Sequence, residues 1–263
     1  MAYFRGKRSA FGAPGDDPRW THADKEGVGT AYSMGSRIWF TIWHGTLTEV
    51  YYPTVDRPQL RDMEFLFSDG NGLFLEEKRD LDVVTERMSS SQGYKITAHD
   101  PKRRFSYVKE IIADPGRPCV LMHTQITGDE AFLKQLDTHL LCAPHLGVGG
   151  AGNNAFIVEV SGRNLLVGER DNRWLVVGAD CGFSKLSCGY VGRSDGYTDL
   201  AINHEMQYEF DEAKNGNVAL MGKLDLAKSH EFTVGLALGE SLPSAVSCLF
   251  QSLGLPYKDQ RKV

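Results

Sequence analysis

Short runs of β-branched and aromatic residues recur along most of this chain, each closed within roughly ten residues by Gly, Pro, Asn, Asp or Ser. That rhythm belongs to antiparallel β proteins, in which strands are brief and turns frequent. The stretch from Ser36 to Tyr52 shows it most sharply. Ile38, Phe40 and Ile42 alternate with Trp39, Thr41 and Trp43, so the two sets point to opposite faces of a strand. His44-Gly45 then supplies a two-residue turn, and Thr46 to Tyr52 runs back as the second arm of a hairpin. Apolar side chains on both faces fit a sheet covered on both sides.

Further strands are expected at Met63–Phe67, Tyr94–Ala98, Arg104–Ile112, Val120–Ile126 and Phe156–Val160, and then at Leu165–Gly168, Trp174–Ala179, Met206–Phe210, Asn217–Leu224 and Glu231–Leu238. Residues from Ala131 to Leu141 carry both a helical stripe and an alternation, and the alternation over Leu136–Leu141 favours a strand. A helix is expected only near the C-terminal end. There Leu242, Ala245, Val246, Leu249, Phe250 and Leu253 recur at helical spacing behind Ser241 as N-cap, with Pro243 in the first turn and Gly254 beyond the end. The Gly/Pro/Asp-rich start makes residues 1–17 read as a flexible segment. Residues 18–240 then form the β domain, and 241–263 a helix followed by a charged tail from Tyr257 that begins a linker.

A chain of 263 residues, 41% hydrophobic and 24% charged, is long enough to bury a sizeable core. Acidic residues outnumber basic ones by five, and the short runs Lys102-Arg103-Arg104 and Arg261-Lys262 stand apart from aromatic repeats; both facts argue against a nucleic-acid partner. No apolar stretch approaches membrane length, and the N-terminus lacks the apolar core of an export signal. The chain as it stands is therefore expected in the cytoplasm, with an extracellular location left open. Five cysteines, odd in number and scattered, read as reduced thiols, and the spacing of Cys181 and Cys188 fits no zinc knuckle.

Several motifs invite a chemical reading. Gly147-Val148-Gly149-Gly150-Ala151-Gly152 matches GxGxxG in letter, but the residues that follow, through Phe156–Val160, read as a strand; a phosphate-binding turn needs a helix there. His123, His139, His145 and His204 show no metal-ligand spacing and read as loop or partly buried histidines. Asp195 and Asp199 read as turn residues, with calcium or sugar contact as alternatives. Trp39, Trp43, Tyr51 and Tyr52 offer faces on which a sugar ring can stack, although aromatics on such a hairpin are more often core or interface residues.

The segments Ser36–Thr41, Gly45–Asp56, Arg61-Asp62 and Asp69-Gly70, in that order and spacing, resemble the opening of the N-terminal domain of glucodextranases and prokaryotic glucoamylases of glycoside hydrolase family 15. The resemblance continues through Ala143-Pro144-His145-Leu146 and the loop to Asn154, Gly189–Gly196 with Asp199-Leu200, and Gly216–Leu220. It implies a large antiparallel two-layer β-supersandwich, similar to the galactose-mutarotase fold, leading through a helix into a catalytic α/α barrel of the same polypeptide. In such enzymes two barrel glutamates release a monosaccharide from an α-glucan with inversion. The matching positions would lie beyond Val263, so the resemblance assigns this chain no catalytic residue and no metal ligand.

The expectation is thus an accessory all-β domain that steadies the barrel of an α-glucan hydrolase and is inactive alone. An independent carbohydrate-binding module is the alternative, with Trp43, Tyr51 and Tyr52 as contacts to an α-glucan oligosaccharide. A free-standing sugar epimerase is the more distant rival. No cofactor is expected, calcium is left open, and no membrane or nucleic-acid partner is foreseen.

Overall fold

A computed structural model describes residues 2–89 and 91–261. Met1, Ser90, Lys262 and Val263, the last two belonging to the expected linker, lie outside the described residues.

In chain order the strands are β1 (Ala2–Phe4), β2 (Gly27–Thr30), β3 (Trp39–Trp43), β4 (Thr46–Tyr51), β5 (Leu60–Ser68), β6 (Phe74–Glu76), β7 (Asp82–Arg87), β8 (Tyr94–His99) and β9 (Phe105–Ala113). They continue as β10 (Cys119–Gly128), β11 (Asp137–Pro144), β12 (Asn153–Val160), β13 (Arg163–Arg170), β14 (Arg173–Ala179), β15 (Phe183–Tyr190), β16 (Glu212–Gly216), β17 (Val218–Leu224) and β18 (Glu231–Gly239). The helices are α1 (Glu77–Asp80), α2 (Glu130–Leu133), α3 (Gly196–Asn203), α4 (Leu242–Leu253) and α5 (Tyr257–Gln260).

The strands form two antiparallel sheets. A ten-stranded sheet runs β1-β12-β13-β14-β18-β10-β9-β8-β7 with β16 beside β12, and an eight-stranded sheet runs β15-β17-β11-β5-β4-β3-β2 with β6 beside β5. Both present an apolar face to a shared interior that includes Phe40, Phe65, Phe67, Tyr107, Ile111 and Phe232, all essentially inaccessible to water. Each such side chain contributes about 1.5–3 kcal/mol by leaving water. The hairpin turn forms as its letters require, with His44 and Gly45 both at positive φ (44° and 76°), the conformation that matches the twist of the two arms.

Helix α4 covers the outer face of the ten-stranded sheet. Ser241 caps it by accepting from the Ser244 amide at 3.3 Å, and Leu242, Ala245, Val246 and Leu249 face β10, β14 and β18. Two glycines in the sheet permit this close approach: a Cβ on Gly235 would sit 2.7 Å from Leu249 Cδ1, and one on Gly178 would sit 3.1 Å from Leu249 Cδ2. Gly235→Ala is therefore expected to push the helix outward and lower the urea midpoint by an amount equivalent to about 1–3 kcal/mol. An unchanged midpoint would show that the contact is not tight.

Three sequence expectations need correction. Residues 2–17 are not a free leader. β1 pairs with β12, the amides of Lys7 and Arg8 donate to Asp211, and the Asn217 amide donates to the Pro14 carbonyl at 2.8 Å. The glycines that read as linker punctuation serve as bends, Gly12 and Gly15 lying at φ 87° and 85° with Gly15 packed against the Asn217 carbonyl. Met206–Phe210 is not a strand. The amides of Gln207 and Tyr208 are taken by the buried carboxylate of Asp199, and the Phe210 amide by Ser187 Oγ, so no ladder forms. The charged tail packs back: Tyr257 of α5 stacks on His123 with ring centroids 4.5 Å apart, and the Gln260 side chain donates to the Ser252 carbonyl. The ambiguous stretch after Ala131 resolves into the single turn α2 followed by β11, the favoured strand.

Candidate functional site

Residues of β5 alternate from Asp62 onward. Met63, Phe65 and Phe67 enter the interior, while Asp62, Glu64, Leu66 and Ser68 face outward. Outward does not mean exposed, because Asp62 and Glu64 are each about 1% accessible. They are covered by β6 and by α1, whose short turn sends Lys78 over the strand. The Lys78 ammonium donates to Asp62 at 3.1 Å and to Glu64 at 2.6 Å, and lies 3.1 Å from Glu76 as a third ion pair. Arg61 binds the other side of Asp62 at 3.1 Å, and Arg79 binds Glu76 at 3.1 Å.

The electrostatics follow from that packing. Burial works against the charge of Lys78, but Asp62 and Glu64 outweigh it and raise its pKa. Burial also opposes ionisation of Asp62, and there Arg61 and Lys78 prevail and lower the pKa. Glu64 goes the other way. Burial raises its pKa more than Lys78 can lower it, and its second oxygen, Oε2, has no hydrogen-bond partner.

Helix α3 closes the other side. Asp195 is its N-cap, accepting from the Thr198 amide at 2.8 Å, so the Asp-Gly pair read as a turn starts a helix. Tyr197 on its first turn reaches Glu76 at 3.4 Å and Arg79 at 3.3 Å. Between Tyr197 and the β5 carboxylates lies a cavity of about 220 Å³ with Leu141, Val191 and Ala219 as its apolar side. A larger hollow of about 580 Å³ lies elsewhere, lined by Lys134, Lys223, Asp225 and Lys228, and two of its lysines are paired with Glu130 and Asp137. The smaller site is distinguished by the buried charged side chains in its lining, Glu64, Glu76 and Asp195.

This arrangement binds and does not readily react. The oxygens of Asp62, Glu64 and Glu76 surround the Lys78 ammonium, and Glu64 and Glu76 line the cavity together with Asp195 of α3. The Asp195 carboxylate is in turn taken up by the amides of Gly192 and Thr198, so each carboxylate is held by a partner of its own.

The aromatics singled out in the sequence do not converge. Trp39 and Tyr51 are directly paired across the β3–β4 hairpin, whereas Trp43 pairs with Thr46 at its far end, roughly 13 Å along the strand. Trp43 is stacked on His22 at 5.2 Å and tilted against His44. Tyr52 turns away to pack against the interior cluster. His139 and His145 are fully buried, more so than expected, and His145 meets the edge of Trp20 at 4.7 Å. The GxGxxG loop leads into β12, and its carbonyls converge on Asn153 and Arg170; a phosphate would need amides there.

Two large antiparallel sheets packed face to face, with a terminal helix on one of them, define a β-supersandwich. The chain belongs to the family "Glucodextranase, domain N", whose model matches residues 10–263. It is similar to a glucoamylase from Clostridium sp. (strain G0005), 31% identical over 250 residues, which are 95% of this chain and 36% of that protein. It is also similar in structure to a bacterial glucoamylase solved in complex with acarbose: TM-score 0.95, 29% identity, covering 100% of this chain and 40% of that one. A family GH92 inverting mannosidase from Bacteroides thetaiotaomicron shares the fold alone, with TM-score 0.53 and 8% identity over 88% of this chain and 31% of that one. The chain thus spans little more than a third of the glucoamylases it matches. Among the described residues no helix is long and apolar enough to cross a membrane.

Proposed function

We propose that this chain is the N-terminal sandwich of a glucoamylase- or glucodextranase-type hydrolase of α-glucans, and that it packs on and steadies a catalytic α/α barrel of the same polypeptide. One observation carries the reading: nearly the whole chain aligns with a glucoamylase, yet it accounts for only 36% of that protein. The chemistry of the site agrees, since Asp62, Glu64 and Glu76 are bound to Lys78, Arg61 and Arg79. The role is structural, and hydrolysis belongs to the remainder of the polypeptide.

The purified chain is expected to release no glucose from starch, maltose or dextran. Joined to a segment equivalent to the rest of the Clostridium relative, it is expected to yield an active enzyme with a higher melting temperature than that segment alone. Reproducible turnover by the isolated chain would overturn the reading.

A further inference from the structure

We infer that residues 17–25 are an acid-released strap: Trp20 clamps it over the neutral ring of His145, and it lifts when that ring takes up a proton. The backbone leaves the segment free to move. Its ends are fixed, at Asp16 by an amide that donates to the Val191 carbonyl at 2.9 Å and at Glu26 by an amide that donates to the Ile42 carbonyl at 2.8 Å. Between them, among the described residues, no backbone–backbone hydrogen bond ties the strap to either sheet. Side chains hold it instead. Trp20 packs edge-to-face with His145, ring centroids 4.7 Å apart, and Thr21 Oγ1 donates to the Arg61 carbonyl at 3.4 Å. His22 stacks flat on Trp43 at 5.2 Å, and Lys25 binds Glu49 at 2.8 Å. The strap thus crosses β3, β4 and the start of β5.

His145 is the group it covers. The ring is fully buried, and neither Nδ1 nor Nε2 has a hydrogen-bond partner. Gly150 and Pro18 close over Nε2: a Cβ on Gly150 would sit 2.5 Å from that nitrogen and 2.6 Å from Pro18 Cβ. An imidazolium carries two N–H donors and a charge, and the closed site offers neither donor an acceptor. The ionised groups that face the ring, Arg61 and Asp62 of β5, act in opposite directions, and Pro18, Trp20 and Gly150 carry no charge. Burial first, and then Arg61, lower the pKa of His145 from 6.5 to about 4.

Lifting the strap is the least costly way to admit the proton. Global unfolding breaks both sheets, whereas moving residues 17–25 forfeits side-chain contacts alone and opens the ring to water. In the open form the imidazole titrates near its ordinary 6.5, so the closed form is favoured above that pH and loses ground below it. Relative to neutral pH, the open-to-closed ratio rises about thirtyfold at pH 5 and about 300-fold well below pH 4. Opening also bares Arg61, which lines an open hollow of about 520 Å³ together with Asp17 and Arg19 of the strap.

Titration of the full chain from pH 7 to pH 4, with the Trp20 indole N–H and the His145 ring C–H signals followed by NMR, tests the inference. The Trp20 signal is expected to move toward the position of a free indole as the pH falls below about 5, while the amides of β3, β4 and β5 stay dispersed. His145→Phe places a ring that cannot charge under the same indole, and its Trp20 signal is expected to stay where it is. In Trp20→Ala the imidazole is uncovered, and His145 is expected to titrate at least about one pH unit higher than in the wild type. Should His145→Phe fail to fold, the comparison with Trp20→Ala decides alone. Four results each overturn the inference: equal movement of the Trp20 signal in His145→Phe, a Trp20 signal unmoved at pH 4 in a folded wild-type chain, loss of amide dispersion in both sheets together with that movement, or the same titration of His145 with and without Trp20. The strap is independent of the accessory role: turnover by the isolated chain would refute that role and leave the strap untouched.

Discussion

Lys109→Met is expected to lower the stability of this domain by about 3–5 kcal/mol, the loss incurred when one member of a fully buried ion pair is removed. Lys109 on β9 and Glu77 on α1 are both inaccessible to solvent, and they meet between the two sheets. Glu77 also accepts from the Tyr107 hydroxyl and, through its other oxygen, from the Phe65 amide at 2.8 Å. The one carboxylate therefore ties β9 of the ten-stranded sheet to β5 of the eight-stranded sheet. Burial lowers the pKa of Lys109 and raises that of Tyr107, and the rings of Phe65 and Tyr107 flank the ammonium at 4.8 and 5.5 Å. With the lysine gone, Glu77 must either stay charged without its counter-ion or take up a proton. The double variant Glu77→Gln, Lys109→Met removes both charges, keeps an acceptor oxygen for the Phe65 amide and turns an amino donor toward the Tyr107 hydroxyl, which can accept it, so it is expected to recover at least half of the loss. Urea unfolding of the two variants decides the matter. Equal stability of the single and double variants would mean that packing, and not charge pairing, carries the cost.

That ion pair shows why part of this molecule is legible in its sequence and part is not. The hairpin, the central strands and helix α4 could be read because each is specified locally. Alternation assigned Phe40 and Ile42 to the inside, His44-Gly45 fixed the turn, and Ser241, Pro243 and Gly254 bracketed the helix. The polar site could not. Asp62 and Glu64 alternate with Met63 and Phe65, a pattern that ordinarily marks a wetted face. Their burial depends on α1, a single turn too short to have a period, and on Tyr197, brought in from α3 far along the chain. Within α1 neighbouring residues part company, Glu77 entering the interior and Lys78 covering the outer face.

The departures from local rules share a physical origin. A strand is defined by its partner, and Met206–Phe210 has the composition of a strand while Asp199 and Ser187 hold several of its amides. The Gly/Pro-rich start carries the letters of a linker, yet glycines at positive φ let it follow the surface closely enough for Asp211 and Asn217 to bind it. In each case a hydrogen-bond partner distant in sequence replaced the local rule.

The same long-range burial produces the second large effect, destabilisation by mild acid. His139 lies on the outer face of β11, with Nε2 at 3.0 Å from Ser68 Oγ and Nδ1 without a partner. Burial, and then the positive charges of Lys223 and Lys185, lower its pKa from 6.5 to about 3. Between those two values the unfolded chain binds a proton at this site and the folded chain does not, so stability must fall as the pH drops below 6.5. At roughly 1.4 kcal/mol per unit, about two units of acidification cost on the order of 2–3 kcal/mol from this residue alone. Glu64 acts in the opposite direction, because its raised pKa makes the folded state hold a proton that the unfolded state releases, and its contribution is lost as the pH rises. The two are separated by comparing the wild-type chain with His139→Gln, in which Glu64 is unchanged. The variant's urea midpoint is expected to depend less steeply on pH over this range and to overtake the wild type on the acid side. Parallel profiles would mean that His139 is protonated in the folded state, and that Ser68 and the solvent supply the partners its burial denies it.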